Sequence, residues 1–273
     1  MPANGASVAQ RVLVDELRRW RGKRGITQEQ LAERIIYSVS TVRSVEELRR
    51  NPVLDFITKC DRALDTDGAL SRLFPLLAEE AYPSWFRPFA EMEAEAVAIQ
   101  EFEVQVIPGL LQTEQYARAV LNTNWPPIGP DEIEHRLEAR LERQKILSRE
   151  NPPLLSFVLD ESVLRRPMGD DRVMAQQLQH LIEMSERAYI QLQVLTFDRA
   201  KHGPTDGSFT VLEMPNKERY VYVDSPAAAR LIPEAAVVEK FTRGFDAARV
   251  NALPVEDSIR LIARLRSELY GHD

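Results

Sequence analysis

The sequence holds a single cysteine, Cys60, in a chain of 273 residues. One cysteine cannot form a disulfide within the chain, and Cys60 stands among apolar residues at helical spacing, where a small core residue is expected. No stretch approaches the roughly 18 consecutive apolar residues that a membrane-spanning helix needs. The first residues lack the basic and apolar regions of a secretory signal. We therefore expect a cytoplasmic protein that does not cross a membrane.

Signatures of catalysis and metal binding are also missing. The four histidines, His135, His180, His202 and His272, are far apart, and none stands in a His-x-x-x-His or Cys-x-x-Cys frame. Gly-x-Gly-x-x-Gly, the Walker phosphate loop and Gly-x-Ser-x-Gly do not occur. We expect no metal, no cofactor and no catalytic residues, and hence a protein that is not an enzyme.

Charge is unevenly distributed along the chain. Residues 1–50 hold ten basic and six acidic side chains, a net charge of +4, which leaves −11 for the remainder because the whole chain carries −7. A basic N-terminal segment followed by an acidic remainder is typical of a DNA-binding domain joined to a domain that does not contact DNA.

Apolar periodicity divides the chain into two predicted domains. Residues 1–79 read as an all-α domain of about five helices, the last of them over 68–77, and residues 80–273 read as a larger mixed α/β (or α+β) domain. In the second domain we predict a helix over 91–99, a strand over 102–107 and further helices and strands in alternation. Residues 209–213 and 220–223 read as a hairpin around Asn216-Lys217-Glu218.

The second and third helices form a helix-turn-helix pattern. Thr27 and Gln30 have the spacing of a capping box, and Ser38 can cap the third helix. Side chains near the start of that helix would face base edges, and those near the start of the second helix and after the third would grip phosphates. The predicted base-reading residues are Val39, Ser40, Arg43 and Ser44, and the predicted phosphate contacts are Gln28, Arg49 and Arg50. The alternative is an ordinary helical bundle whose arginines form a solvated face.

Polar residues at predicted strand ends mark a second candidate site. In open α/β sheets ligands collect at such ends, so these side chains could line a pocket for a ligand or partner. They are Asp160, Glu161, Asp198, His202 and Asp224. The alternative is that Asp160 and Glu161 pair with Arg165 and Arg166 while Asp224 caps the following segment.

Residues 26–35 and 40–46 resemble the actinobacterial XRE (lambda repressor/Cro-like) helix-turn-helix regulators. The Pro-Gly-Leu-Leu-Gln-Thr run at 108–113, Pro-Ser-Trp-Phe at 83–86 and Leu-Asp-Glu at 159–161 are similar to the large uncharacterised C-terminal domain of those regulators. The resemblance implies control of development or secondary metabolism, and a small companion protein that binds the regulator. The family usually has glycine where this chain has Ile36 and Leu48, so a positive φ at either position would strain the turn by about 1 kcal/mol or more.

These observations predict a sequence-specific regulator that binds double-stranded DNA, forms a homodimer and is controlled through its second domain. An antitoxin-like module that sequesters a small partner, with DNA binding secondary or lost, is the alternative from another class. An enzyme fused to a targeting head is a third. The apolar face of the C-terminal helix, with Ile259, Ile262 and Leu265, suits either the domain core or a dimer seam.

Overall fold

The computed structural model describes residues 8–81, 86–200, 204, 207–223 and 230–271, with the side chains of residues 78–81 left aside. It divides into two compact units. The first is Met1–Ser84 together with Ile128–Ala139, and the second is Trp85–Pro127 together with Arg140–Asp273. An N-terminal helical region followed by a domain with a mixed sheet confirms the predicted fold class. Among the described residues, no helix combines the length and apolarity needed to cross a membrane.

The first unit is built around one apolar core. Its helices are α1 (Val8–Lys23), α2 (Gln28–Ile35), α3 (Val39–Glu46), α4 (Leu54–Leu64) and α5 (Phe74–Ala81). Each of the first four buries a stripe spaced three or four residues apart, as in Leu13 and Leu17 of α1 or Val42 and Val45 of α3. This packing holds the short α2 and α3 in place, since isolated helices of their length are marginal in water.

The fifth helix starts later than the predicted range of 68–77. Asp65, Asp67 and Gly68 have φ values of 50°, 53° and 72°, so the chain turns there and cannot be helical. A 3₁₀ turn at Ser71–Leu73 then leads into α5. The buried carboxylate of Asp61 holds this turn by accepting hydrogen bonds from the amides of Leu70 at 3.0 Å and Ser71 at 2.9 Å.

A six-stranded sheet in the order β3-β2-β1-β4-β5-β6 forms the centre of the second unit. Strands β1, β2 and β3 are parallel, whereas β4, β5 and β6 pair antiparallel. The elements are α6 (Arg87–Glu95), β1 (Ala98–Glu103), α7 (Glu114–Asn122), α8 (Pro130–Arg143), β2 (Leu154–Asp160), α9 (Glu161–Arg165), α10 (Asp171–Ser185), β3 (Ile190–Leu195), β4 (Phe209–Glu213), β5 (Arg219–Val223), β6 (Arg230–Ile232), α11 (Ala235–Asn251) and α12 (Val255–Tyr270). The first part of α8 belongs to the first unit.

Two predicted element boundaries around the central strand β1 were wrong. The helix expected over 91–99 ends at Glu95, and the strand expected over 102–107 runs instead from Ala98 to Glu103. The sequence of β1 is rich in glutamate, and Glu101 is buried within the fold, a burial that local pattern does not signal. Strand β6 was not predicted, whereas the hairpin of β4 and β5 around Lys217 is confirmed.

Both faces of the sheet are covered by helices. Alternate residues of the strands, such as Phe157 and Val158, point to opposite faces, as the two-residue period of a strand requires. Helices α10 and α12 cover one face with residues that include Leu178 and Ile262, and α11 covers the other with Phe245. The apolar face of α12 thus lies in the core of the second unit, as the first of the two interpretations, domain core or dimer seam, predicts.

The carboxyl end of strand β3 is closed along the outer edge of the sheet. The amide of Val194 donates to the hydroxyl of Ser258 at 2.9 Å, and its carbonyl accepts from the amide of Leu253 at 2.9 Å. Gln193 adds a side-chain bond to the Leu253 carbonyl at 2.8 Å.

Candidate nucleic-acid interface

Both helices of the helix-turn-helix begin at the predicted capping residues. The hydroxyl of Thr27 accepts from the amide of Gln30 at 3.2 Å, and the Gln30 side chain accepts from the Thr27 amide at 2.9 Å. The hydroxyl of Ser38 accepts from the amide of Thr41 at 3.1 Å. These bonds satisfy amides that a helix start leaves open, and so they confirm both predicted starts.

Both helices also end in the same left-handed turn. Ile36 and Leu48 each have a φ of 59°, a region that favours glycine. After α2, the amides of Ile36 and Tyr37 donate to the carbonyls of Glu33 and Ala32, which is the bond pattern of a Schellman motif. The amides of Leu48 and Arg49 repeat it after α3. Both positions therefore have the positive φ that strains a residue with a Cβ. The chain keeps the turn geometry although neither residue is glycine.

The predicted base-reading residues lie along and beside the exposed side of α3. Val42 and Val45 face the core, whereas Ser40 and Arg43 are exposed, and Ser44 is half-buried. The side chain of Arg43 is 52% exposed, and its guanidinium lies 3.9 Å from the carboxylate of Glu29 on α2. About half of the side chain is therefore open to solvent, and a DNA group that binds the guanidinium would have to compete with Glu29.

Val39 and Ser40 occupy the first turn of α3. The hydroxyl of Ser40 shares a 2.8 Å hydrogen bond with that of Ser38, so it is tied to the helix cap. Val39 is half-buried and packs partly against the first core. Of the four predicted base-reading residues, Ser40 and Arg43 are thus the ones that α3 exposes most fully.

Gln28 is engaged inside the first unit. Its amide nitrogen donates to the carboxylate of Glu46 at 2.7 Å, and Glu46 is buried. The guanidinium of Arg21 donates to both oxygens of the same carboxylate, at 2.6 and 2.8 Å, and Arg18 donates to the Glu46 carbonyl. This network ties the end of α3 to α1 and to the start of α2. Local sequence pattern does not reveal this network, because its partners stand up to 28 residues from Glu46.

The two predicted phosphate contacts after α3 also have partners. Arg49 pairs with Glu47, and both side chains are exposed. The Nε of Arg50 lies 3.5 Å from the Oδ1 of Asp131 in α8, and the Arg50 side chain is 37% exposed. A phosphate would therefore have to compete with a carboxylate for Arg50.

The structure brings only some of the predicted strand-end residues together. Asp160 caps α9 by accepting from the amide of Ser162 at 2.9 Å, whereas Glu161 pairs with Arg165 at 2.7 Å and accepts from the Phe197 amide at 3.2 Å. Glu161 thus makes the arginine pair of the alternative interpretation, while Asp160 serves as a cap. His202 and Asp224 lie outside the described residues.

An open cleft of the second unit contains Glu161 and Asp198. Asp198 accepts from the hydroxyl of Thr196 at 2.6 Å, and this bond lowers the pKa of its carboxyl. The cleft is lined by Glu161, Thr196, Asp198, Arg199, Leu253, Asp257, Arg260, Leu261 and Arg264. Three of these side chains are acidic and three are basic, so the formal charge of the lining is zero.

The Pro-Gly-Leu-Leu-Gln-Thr run at 108–113 is a junction of side-chain hydrogen bonds. Gln112 is buried, donates to the Ile107 carbonyl at 2.7 Å and accepts from Arg140 at 2.6 Å. Gln177 on α10 bonds the Leu111 carbonyl and the Thr113 amide, each at 2.7 Å. The most distinctive motif in the second unit therefore fixes its loop to two helices.

Gly109 within that run leaves room for an arginine. A Cβ at this position would overlap the guanidinium of Arg143, which pairs with the buried Glu93 at 2.8 Å. Burial raises the pKa of Glu93, and burial together with Glu103 and Glu93 raises the pKa of Glu101 well above its usual value. Among the described residues, no group of three or more His, Cys, Asp and Glu side chains is placed to hold a metal ion.

Two capped short helices joined by a tight turn, the second with an exposed polar side, define the first unit as a helix-turn-helix domain. A family model described as Helix-turn-helix domain matches residues 12–74. A second model, Domain of unknown function (DUF5753), matches residues 86–264, more than half of the chain. The chain therefore belongs to the DUF5753 family and carries a helix-turn-helix domain at its N-terminus. No curated protein and no solved structure matches it.

Proposed function

We propose that this protein is a sequence-specific DNA-binding transcriptional regulator controlled through its second domain. The observation that carries the proposal is the placement of Arg43 on α3. A capped start, a left-handed turn on each side and the buried Val42 and Val45 hold α3 so that Arg43 stands on its exposed side, with a side chain that is 52% exposed. A guanidinium presented in this way can make a bidentate contact to guanine in the major groove.

Replacement of Arg43 tests base reading. Bound sequences are first selected from a random duplex pool with the full chain, and dissociation constants are then measured on the selected site and on a scrambled duplex. We expect Arg43→Ala to weaken binding to the selected site by about 1–3 kcal/mol and to reduce the preference over the scrambled duplex.

Arg43→Lys is the matched control, because it keeps the positive charge and loses the planar fork of donors. If Arg43 reads a base, Lys at this position loses most of the preference, whereas a mere charge contact would survive. Binding that neither substitution changes would refute the assignment. Since half-sites multiply weak contacts, we also propose that the protein binds as a homodimer, which sedimentation with and without DNA would test.

For the second domain we propose binding rather than catalysis, with a small companion protein as the partner. The net charge of −11 outside residues 1–50 and the resemblance to regulators with such companions support this proposal. If a small protein is encoded beside this gene, we expect it to co-purify in a fixed ratio and to change the DNA affinity of the full chain. A neighbour that binds without any effect on DNA affinity would contradict control through this domain.

A further inference from the structure

Residues of α8 pack against the loop that follows α3. Ile128–Ala139 belongs to the first unit, although α6, β1 and α7 precede it in the chain. Asp131, Glu134, His135 and Glu138 stand at positions i, i+3, i+4 and i+7, which form one face of the helix. That face lines a narrow crevice with the loop residues Arg50, Asn51, Pro52 and Val53.

This segment of the chain is acidic. Residues 128–139 contain four acidic side chains and one arginine. Asp131 is the one that reaches Arg50, with 3.5 Å between Oδ1 and Nε. A carboxylate and a phosphate are both anions that bind a guanidinium through paired oxygens, so they compete for the same donors.

The crevice also holds two buried oxygens that lack a donor. The Oδ1 of Asn51 and the Oε2 of Glu138 accept no hydrogen bond from any residue that the structure describes. Burial, with a contribution from Glu134, raises the pKa of Glu138 to about 7. The other ionisable groups around the crevice are Asp131 and His135 on α8, and Tyr37 and Arg50 on the helix-turn-helix side. A buried, poorly satisfied carboxyl weakens this packing, since an unbonded buried polar group destabilises its site.

We propose that residues 128–139 are an autoinhibitory element that occupies Arg50 in place of a DNA phosphate and leaves the 50–53 loop when the protein binds DNA tightly. This inference rests on the proposed function, because it assigns a regulatory role to a residue of the same DNA-binding surface. The last turn of α8, from Arg140, belongs to the second unit, so the inhibitory segment is covalently continuous with the domain proposed to receive the signal.

Binding of the full chain to a short random-sequence duplex at low salt, followed by fluorescence anisotropy, tests the proposal. Asp131→Asn frees Arg50, so we expect binding about threefold tighter and a salt dependence steeper by about 0.9. Asp65→Asn is the matched control: it removes the same charge from an exposed aspartate paired with an arginine, and its partner Arg24 stays bonded to the carbonyls of Leu64 and Asp65. In an Arg50→Ala background, Asp131→Asn should have no effect beyond that of the control.

Glu138→Gln is a second test variant, for which we expect the opposite change in DNA affinity. Loss of a negative charge alone would strengthen DNA binding, but an uncharged amide with donors sits better beside Asn51 and holds the segment in place. At pH 8, where the native carboxyl is largely ionised, we expect Glu138→Gln to weaken binding about threefold. Thermal unfolding of each variant verifies that it is folded.

Equal affinities of Asp131→Asn and Asp65→Asn, or tighter binding by Glu138→Gln, would overturn the autoinhibitory role. If Arg43→Ala still weakens binding in that case, the proposed function stands without it. If no variant binds DNA, the proposed function fails and the inference fails with it.

Discussion

Replacing Ile36 by glycine should stabilise the helix-turn-helix domain. A left-handed backbone costs a residue with a Cβ about 1–2 kcal/mol, and the φ of 59° places Ile36 in that region. Glycine loses more conformational freedom on folding, which offsets about 0.5–1 kcal/mol of the gain. The side chain is 85% exposed, so its removal sacrifices little burial. The net expectation is a free energy of unfolding higher by about 0.5–1 kcal/mol.

Urea unfolding of the full chain, followed by circular dichroism, measures this change in the transition of the first unit. Ile36→Ala is one control, because alanine keeps the Cβ that causes the strain and should change stability by less than about 0.5 kcal/mol. Leu48→Gly is a second control. Leu48 has the same φ, but its side chain packs partly against the first core, so the loss of contact opposes the relief of strain. A stability that Ile36→Gly lowers or leaves unchanged would refute the left-handed turn.

Three further outcomes follow from buried groups. Glu46→Ala should lower the unfolding free energy of the first unit in urea by about 3 kcal/mol, because the guanidinium of Arg21 loses its carboxylate partner. Glu47→Ala is the control: it removes an exposed pair and should lower the same free energy by less than about 0.5 kcal/mol. For Asp61, burial raises the pKa, but hydrogen bonds from two hydroxyls and two amides outweigh it and leave the pKa below 3.8. The ionised Asp61 therefore stabilises the fold above that pH, and this stabilisation is lost as the pH falls through the folded-state pKa. Asp61→Asn should accordingly reduce the fall in unfolding free energy at acidic pH. An acid dependence equal to that of the native chain would contradict the lowered pKa. Cys60 is fully buried and burial raises the pKa of its thiol, so it should react with a disulfide reagent only after unfolding, and rapid native labelling would contradict its burial.

Features of the first unit that depend on neighbouring residues were predictable. The capping box at Thr27 and Gln30 and the cap at Ser38 involve residues only three positions apart, so the sequence pattern contains the whole interaction. The expectation of strain at Ile36 and Leu48 came instead from the resemblance to regulators with glycine at both positions, and the φ of 59° at each meets the condition for it.

Features that arise from distant parts of the chain were not predictable in this way. Nothing around residue 101 indicates that a glutamate would be buried in a central strand, since β1 becomes central only when β2 and β4 pair with it on both sides. The membership of Ile128–Ala139 in the first unit depends on a packing surface at residues 50–53. The base-reading role of α3 stays a prediction, and the sequence did not indicate the partners of Gln28 and Arg50.

The closed edge of β3 limits how this domain can assemble. Val194 has both its amide and its carbonyl engaged by Ser258 and Leu253, and these are the groups that an added strand would need at that end. A second chain therefore cannot extend the sheet there by β-augmentation. A companion or a second copy that approaches this end of β3 would instead have to recognise side chains, so its specificity there would come from surface chemistry rather than from shared backbone hydrogen bonds.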